Sequence, residues 1–378
     1  MTLPPPGDVH LWIMDPADAA DPALCRDYRE RCLPASERDA LESEAANMTE
    51  GALRQATHSK ALMRWVLARY CARGVAPADL RFAHGEHGKP RLVGVGGGGA
   101  NSSSSNPSSS SSSDDAWTRI RFSVSHTNRL VVLAVTSAPG IEPSHPRWKP
   151  RGSPTGESAS PPSWGANVPA NASHEVGVDC EDERRRTSAA ADKLAGRWLS
   201  ALEHDALRAI GDDDARATTF MRTWTLKESY VKALGTGIAA HPFGGFDVTL
   251  RSDGSNVAGS IPPSGGGEKG EKGEPPGVIT LTERSGTSAV ERRAWAATSS
   301  RWRMALLKPR ADDSLLVAVC AHSCASDWGE EGEGSANDAS PAMNVRVRWT
   351  VPMVGDVAEG ARPPPALIAR TAGFGALE

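Results

Sequence analysis

The run GVGGGGANSSSSNPSSSSSSDD at residues 94–115 limits what this chain can fold into more than any motif does. It carries almost no side chain able to anchor a core. Residues 138–173 are rich in Pro, Ser and Gly, 252–277 include GEKGEKGE, and 326–342 are acidic and Gly-rich. Segments of this composition cannot bury enough apolar surface to offset the entropy of ordering them. They are read as flexible insertions, and the fold must be assembled from the blocks between them. This accounts for an aromatic fraction of only 5% and a hydrophobic fraction of 39% in a chain of 378 residues. That length alone suggests about two domains.

Charge and cysteine content exclude several classes. A net charge of −4 argues against a general nucleic-acid binder, which would show a basic face. The 6 Cys have no CxxC spacing in a chain far too long for a disulfide scaffold, so reduced thiols are expected. No apolar run approaches the roughly 18 residues of a membrane span. The start, MTLPPPGDVHLWIMDP, has no charged flank followed by an apolar core. The cytosol is the expected compartment, with neither nucleic acid nor membrane as partner.

Between the insertions the pattern mixes strand and helix. VHLWIMD (9–15) predicts an apolar strand, and in LPASERDALESEA (33–45) Ser36 and Asp39 approximate a capping box. Residues 50–72 place Leu62, Trp65, Val66 and Tyr70 at helical spacing. RFSVSHTNRLVVLAV (121–135) predicts a hairpin turning near Thr127-Asn128, and EVGVDCE (175–181) a short buried strand. Residues 189–210 and 214–234 read as helices, FDVTL, RWRMALLK and SLLVAVCA as strands, and HGEHGKPRL (84–92) as a loop. No regular βαβ alternation appears, so the expected class is α+β. The segment after residue 342 has no assignment; NVRVRWTVP could be an added strand or a tail.

Four stretches carry chemistry. In GVDCEDE, Asp179 and Glu181 lie two apart on a strand, so their carboxylates share a face. Paired hard oxygens suit Mg²⁺, and an acidic strand end running into solvent is the alternative. In TWTLKESYVKALGTGI (223–238), about 100° per residue puts Trp224, Lys227, Glu228, Val231 and Lys232 on one helical face. A plain Glu228–Lys232 surface pair would do no more than support that helix. Ser125 and His126, closing the strand FSVSH, suit phosphate donors or an ordinary turn. The strand has no GxSxG elbow or third member that would make a hydrolase triad. Lys89, between Gly88 and Pro90, could serve a phosphate or a turn.

HGEHGKPRL, FSVSH, GVDCE and WTLKESYVKALGTG, in that order, together resemble the 4′-phosphopantetheinyl transferases of the larger, broad-specificity class that activates surfactin synthetase or aminoadipate-semialdehyde dehydrogenase. That family shows a GKP element, an F-N-x-SH strand, a G-I/V-D-x-E strand and a W-x-x-K-E-A/S-x-x-K helix followed by G-x-G. The resemblance covers roughly residues 9–250 and departs at Ser123, where the family has Asn. It departs again at Cys180, at a position facing away from the metal.

The resemblance implies a holo-[acyl-carrier-protein] synthase: Mg²⁺-dependent (or Mn²⁺-dependent) transfer of 4′-phosphopantetheine from coenzyme A to a serine of an apo acyl or peptidyl carrier protein. Adenosine 3′,5′-bisphosphate is released. Carriers of fatty-acid synthesis or of lysine synthesis through aminoadipate would be served. The implied fold is two similar halves about a pseudo-twofold axis, residues 8–137 and 174–325, in a monomer. Asp179, Glu181 and Glu228 would hold the metal. Glu228 would be the base, directly or through water, and Lys232 would neutralise the leaving diphosphate. By position, Arg38, His84, Lys89, Ser123, Ser125, His126 and Lys232 would contact coenzyme A, with Lys60 a further match. A non-catalytic coenzyme A binding module and an interaction scaffold built on the insertions are the readings from other classes.

Overall fold

The computed structural model describes residues 1–96, 117–138, 175–185, 191–251, 276–283, 301–310, 313–322, 342–358, 360–372 and 374–378. Most of the stretches read as insertions lie outside these. Gly94 and Val95 end one strand, and Gly277 opens another.

Strand β1 (Val9–Met14) is apolar on both faces because each meets a different core. Val9, Leu11 and Ile13 face one, Trp12 and Met14 the other. The chain then forms α1 (Pro22–Asp27), a π-helical turn at Tyr28–Cys32, α2 (Ala35–Ala45) and α3 (Glu50–Tyr70). Thr49 caps α3 by accepting from the Ala52 amide at 3.2 Å. The expected cap at Ser36 is corrected: the cap position of α2 is Pro34, without a side-chain bond, and Ser36 lies in the first turn. The Pro34 carbonyl accepts the first helical bonds, while the Glu37 carboxylate is drawn across to Arg64 and Lys60 on α3.

Next come β2 (Leu80–His84) and β3 (Pro90–Val95), a two-stranded hairpin. The 84–92 stretch is therefore loop only at 85–89, where the Gly85 amide bonds the Lys89 carbonyl at 3.0 Å. Strands β4 (Ile120–His126) and β5 (Val131–Ser137) form the expected antiparallel hairpin, closed by the Thr127 amide on the Leu130 carbonyl at 2.8 Å.

The C-terminal half contributes β6 (Val176–Asp182), α4 (Ala191–Trp198), α5 (Ala201–Arg208), α6 (Asp213–Leu234) and α7 (Gly237–Ala240). It continues with β7 (Phe246–Arg251), β8 (Gly277–Glu283), β9 (Trp302–Lys308) and β10 (Leu315–His322). The single helix expected over 189–210 is two. Ser200 interrupts it by forming a capping box with Glu203, which starts α5.

Residues 343–378 supply β11 (Met343–Val351), β12 (Gly355–Asp356), β13 (Ala366–Arg370) and β14 (Phe374–Leu377). Strand β11 pairs in parallel with β1, and β13 inserts between β9 and β8. One sheet thus runs β12-β11-β1-β5-β4, with β14 also on β11, and the other β6-β10-β9-β13-β8-β7. Their facing sides share a core that includes Leu11, Val132, Val178, Val319 and Val345. Helix α3 covers the outer side of the first sheet and α6 that of the second. The architecture is mixed α/β, with helices outside two stacked sheets. Among the described residues no helix is long and apolar enough to cross a membrane.

Candidate active site

The site forms where β4, the edge of one sheet, meets β6, the edge of the other. An edge strand leaves a row of backbone amides to satisfy. Here the Val178 amide donates to Ser123 Oγ at 3.1 Å and the Cys180 amide to Ser125 Oγ at 3.4 Å. Two hydroxyls spaced two apart on β4 thus cap two amides spaced two apart on β6. Cys180 packs into the core between the sheets, away from Asp179, as its position in the strand dictates.

The other face of β6 meets α6 at close range, and Gly177 makes this possible. A Cβ there would sit 1.9 Å from the Ser229 carbonyl and 2.4 Å from the Ala233 nitrogen. Asp212 caps α6 through the Ala215 amide at 2.7 Å, with Asp213 and Asp214 in its first turn complementing the helix dipole. Gly235 ends it in the left-handed conformation at φ 70°. Seated this way, α6 presents Glu228 and Lys232 alongside Asp179.

Asp179 Oδ1 accepts from Lys232 Nζ at 2.7 Å and from Ser125 Oγ at 2.9 Å, and Lys232 also donates to Ser125 Oγ at 2.9 Å. Asp179 Oδ2 is buried without a hydrogen-bond partner among the described residues. Burial and then the Asp179 charge raise the Glu228 pKa to about 7, Lys232 only partly opposing them. The same two causes raise Glu181, whose carboxylate lies 3.0 Å from Arg185. Burial opposes the Lys232 charge, but Asp179 outweighs it and the pKa rises. His126 ends β4 at the surface, its pKa lowered by partial burial and by Lys232.

Of these groups Glu228 and Lys232 line a cavity of about 300 Å³, together with Lys89, Ser123, Gly235 and Gly237, whereas Asp179, Glu181, Ser125 and His126 are not in its lining. Among the described residues no three His, Cys, Asp or Glu side chains converge as a ready-made metal site. Glu181 is turned to Arg185, and one Asp179 oxygen is taken by Lys232. The chemistry nevertheless fits a divalent cation. A bare buried carboxylate oxygen lies beside two carboxyls held above their ordinary pKa, and Mg²⁺ takes only one or two protein carboxylates plus water and phosphate oxygens.

Several expected residues lie differently. Lys227 does not share the site face. One residue step of about 100° turns it into the C-terminal core, where Nζ donates to Glu203 at 2.5 Å and to the Phe246 carbonyl at 2.6 Å. Arg38 donates to the Glu30 and Leu33 carbonyls at 3.2 and 3.1 Å, Lys60 pairs with Glu37 at 3.3 Å, and His84 is exposed at the end of β2. Neither Arg38 nor His84 lines the cavity, whereas His87 of the same hairpin does. The stem of Lys89 lines it, but its ammonium donates to Glu175 at 2.8 Å, the Val176 carbonyl at 3.0 Å and the Ala233 carbonyl at 2.8 Å. Those are all the donors a lysine has. Glu175, missed in the sequence, also bonds Arg91 at 2.5 Å. Its cationic partners lie far back along the chain, in the β2–β3 turn and on β3 and β4, so no local pattern announces it.

Comparison with known proteins agrees with the motifs. Residues 175–265 match the family model of the 4′-phosphopantetheinyl transferase superfamily. A 4′-phosphopantetheinyl transferase of Bacillus subtilis is 23% identical over 234 residues, 60% of this chain and 76% of that protein. The 4′-phosphopantetheinyl transferase HetI of Nostoc sp. is 25% identical over 186 residues, 49% of this chain and 54% of that protein, so the chain spans about half of its length.

Proposed function

Since the chain belongs to the 4′-phosphopantetheinyl transferase superfamily, we propose that it transfers 4′-phosphopantetheine from coenzyme A to a serine of an apo carrier protein. One observation carries this reading. Glu228 and Lys232 line one cavity, and Lys232 lies 2.7 Å from Asp179, whose other oxygen is buried without a partner among the described residues. A plain surface pair would need neither the burial nor the second and third carboxylates.

In this reading the carrier serine oxygen bonds to the phosphorus that bears pantetheine. The bond from that phosphorus to the bridging oxygen breaks, and the oxygen leaves with adenosine 3′,5′-bisphosphate. Glu228 takes the serine proton, directly or through water. Lys232 holds positive charge toward the 5′-phosphate of the leaving adenosine 3′,5′-bisphosphate, where positioned charge counts for more than covalent help. Ser125 fixes Lys232 and Asp179 relative to one another, and His126 would donate to a coenzyme A phosphate. Lys89 contributes its stem to the cavity while its ammonium ties the β2–β3 turn to α6. Asp179, Glu181 and Glu228 would hold Mg²⁺ or Mn²⁺, which when bound supplies Lewis-acid charge on the diphosphate.

The reading extends to the fold: residues 8–137 and 174–325 form two similar halves about a pseudo-twofold axis, in a monomeric, cytosolic enzyme of the larger class. Each half carries one long helix, α3 or α6, over a sheet with an antiparallel hairpin, β4–β5 or β9–β10. The test is incubation with coenzyme A, Mg²⁺ and a panel of apo carrier proteins, followed by intact-mass analysis. A carrier heavier by one phosphopantetheine group is expected. Coenzyme A binding with no carrier modified across the panel would leave a binding module instead.

A further inference from the structure

A second cavity, of about 590 Å³, shares no lining residue with the first. Its size lies within the range of small-molecule sites, about 300–1,000 Å³. It is bounded by residues 346–349 of β11, residues 356–358, 360 and 362–365, and Glu378. Val347, Trp349, Val357 and Pro363–Pro365 give it apolar walls, and Arg346, Arg348 and Arg362 bring cations to it.

The charges can be followed one by one. Asp356 is held by Arg69 through bonds of 2.6 and 2.7 Å. Glu378 accepts from Arg346 Nε at 3.0 Å. Arg362 pairs with Asp18 and lies 4.0 Å from Asp15, with its guanidinium over the Trp349 ring. Among the described residues both lining carboxylates and two of the arginines are thereby satisfied within the protein. Arg348 is not. No hydrogen bond or ion pair joins it to a carboxylate among the described residues: Asp356, which feels its charge, is taken by Arg69, and the Arg348 Nε is buried without a hydrogen-bond partner. Its guanidinium rests 5.5 Å from the centre of the Trp12 ring, whose other aromatic–cation contact is Arg69 at 4.7 Å. His10, two residues from Trp12 on β1, has its pKa lowered to about 4 by burial and then by Arg348 and Arg346, in keeping with a positive field here.

Burying a guanidinium N–H without an acceptor, as at Arg348 Nε, is costly. Arginine's planar fork matches the oxygens of a carboxylate or phosphate in paired bonds. We propose that this cavity is a binding site for a small organic anion, its phosphate or carboxylate taken by Arg348 and its apolar part lying against Pro363–Pro365 and Val357. The site is independent of the transferase reading.

Phenyl phosphate and benzoate, titrated into the full chain by calorimetry at constant ionic strength, test it and separate the two headgroups. At least one should bind saturably at one site. Arg348→Gln should weaken that binding at least tenfold, and Lys232→Met, at the other cavity, should leave it unchanged. Should Arg348→Gln fail to fold, Arg348→Lys keeps the charge but loses the fork and should still weaken the oxoanion several-fold. Equal affinity in wild type and the folded Arg348 variant, loss of binding only in Lys232→Met, or no saturable binding of either probe would each overturn the site.

Discussion

The Lys89 ammonium and the Glu175 carboxylate lie 2.8 Å apart, both withdrawn from solvent, and join segments separated by 86 residues. Lys89 also donates to the carbonyls of Val176 and Ala233, the start of β6 and the end of α6. Its stem passes so close to Gly235 that a Cβ there would lie 2.9 Å from Lys89 Cδ. One side chain thus fixes the β2–β3 turn, the strand bearing Asp179 and the helix bearing Glu228 in a single arrangement.

Removing one partner of such a pair strands the other. Lys89→Met should destabilise the protein by about 3–5 kcal/mol, because Glu175 stays buried. The double change Lys89→Met with Glu175→Gln should cost clearly less than the two single changes together. Urea unfolding of the four proteins checks this. Strict additivity would mean that the two groups do not interact.

Acid should act through the same carboxylate. Burial alone would raise the Glu175 pKa, but Lys89 and then Arg91 outweigh it and hold the group at about 2 against an ordinary 4.5. A carboxyl with a depressed folded pKa contributes stability that is complete above the unfolded value and lost as pH falls through the folded one. Unfolding free energy should therefore decline between about pH 4.5 and 2. In Glu175→Gln that decline should be shallower, starting from a lower value at neutral pH. Matching slopes for wild type and variant in this window would remove Glu175 as its source.

Glu228 carries the opposite sign. Its folded pKa of about 7 lies above the ordinary 4.5, so in the metal-free protein its neutral form favours the fold below the unfolded value. That favour disappears as pH rises through 7. Glu228→Gln should raise metal-free stability above pH 7 by roughly 1–3 kcal/mol, with the gain vanishing in acid. The same variant should lose phosphopantetheine transfer by at least about a hundredfold, as should the wild type in EDTA. A destabilised but active Glu228→Gln protein would mean that the residue is only half of a surface pair.

Gly177→Ala tests the seat of α6. The new methyl would meet backbone atoms of Ser229 and Ala233, which cannot swing aside. The helix must lift, at about 3 kcal/mol or more, and the Lys232–Asp179 contact should open. Melting temperature and transfer rate should fall together; an unaffected melting temperature would contradict the close packing.

What could be read in advance was whatever is written locally. Asp179 and Glu181 two apart on a strand, Glu228 and Lys232 four apart on a helix, and the Thr127 turn each sit within a few residues of one another. The break at Ser200 was also readable, since Ser-x-x-Glu is a cap signal within the expected helix. Lys227 was misplaced because a wheel of positions does not say which side the neighbouring strand will press. Here β6 packs against the Ser229–Ala233 edge and leaves Lys227 to the aromatic core, 4.4 Å from the Phe246 ring centre. Glu175 and the strands beyond residue 342 were beyond local reading, because the groups that satisfy them lie far away along the chain.

Val9 in β1 is paired with Val345 in β11, and this governs when the chain can finish folding. As the protein is synthesised, β1 emerges first, and its parallel neighbour follows only after the more than three hundred residues between them. At roughly 5–20 residues per second, the hydrogen-bonding edge of β1 stays open for roughly 15–65 s. The second sheet waits as well, since β13 must enter between β9 and β8. An open edge beside so apolar a strand is a template for pairing with other chains. The nascent protein therefore passes through its most aggregation-prone state with the candidate catalytic residues already synthesised, and only its last strands close that state.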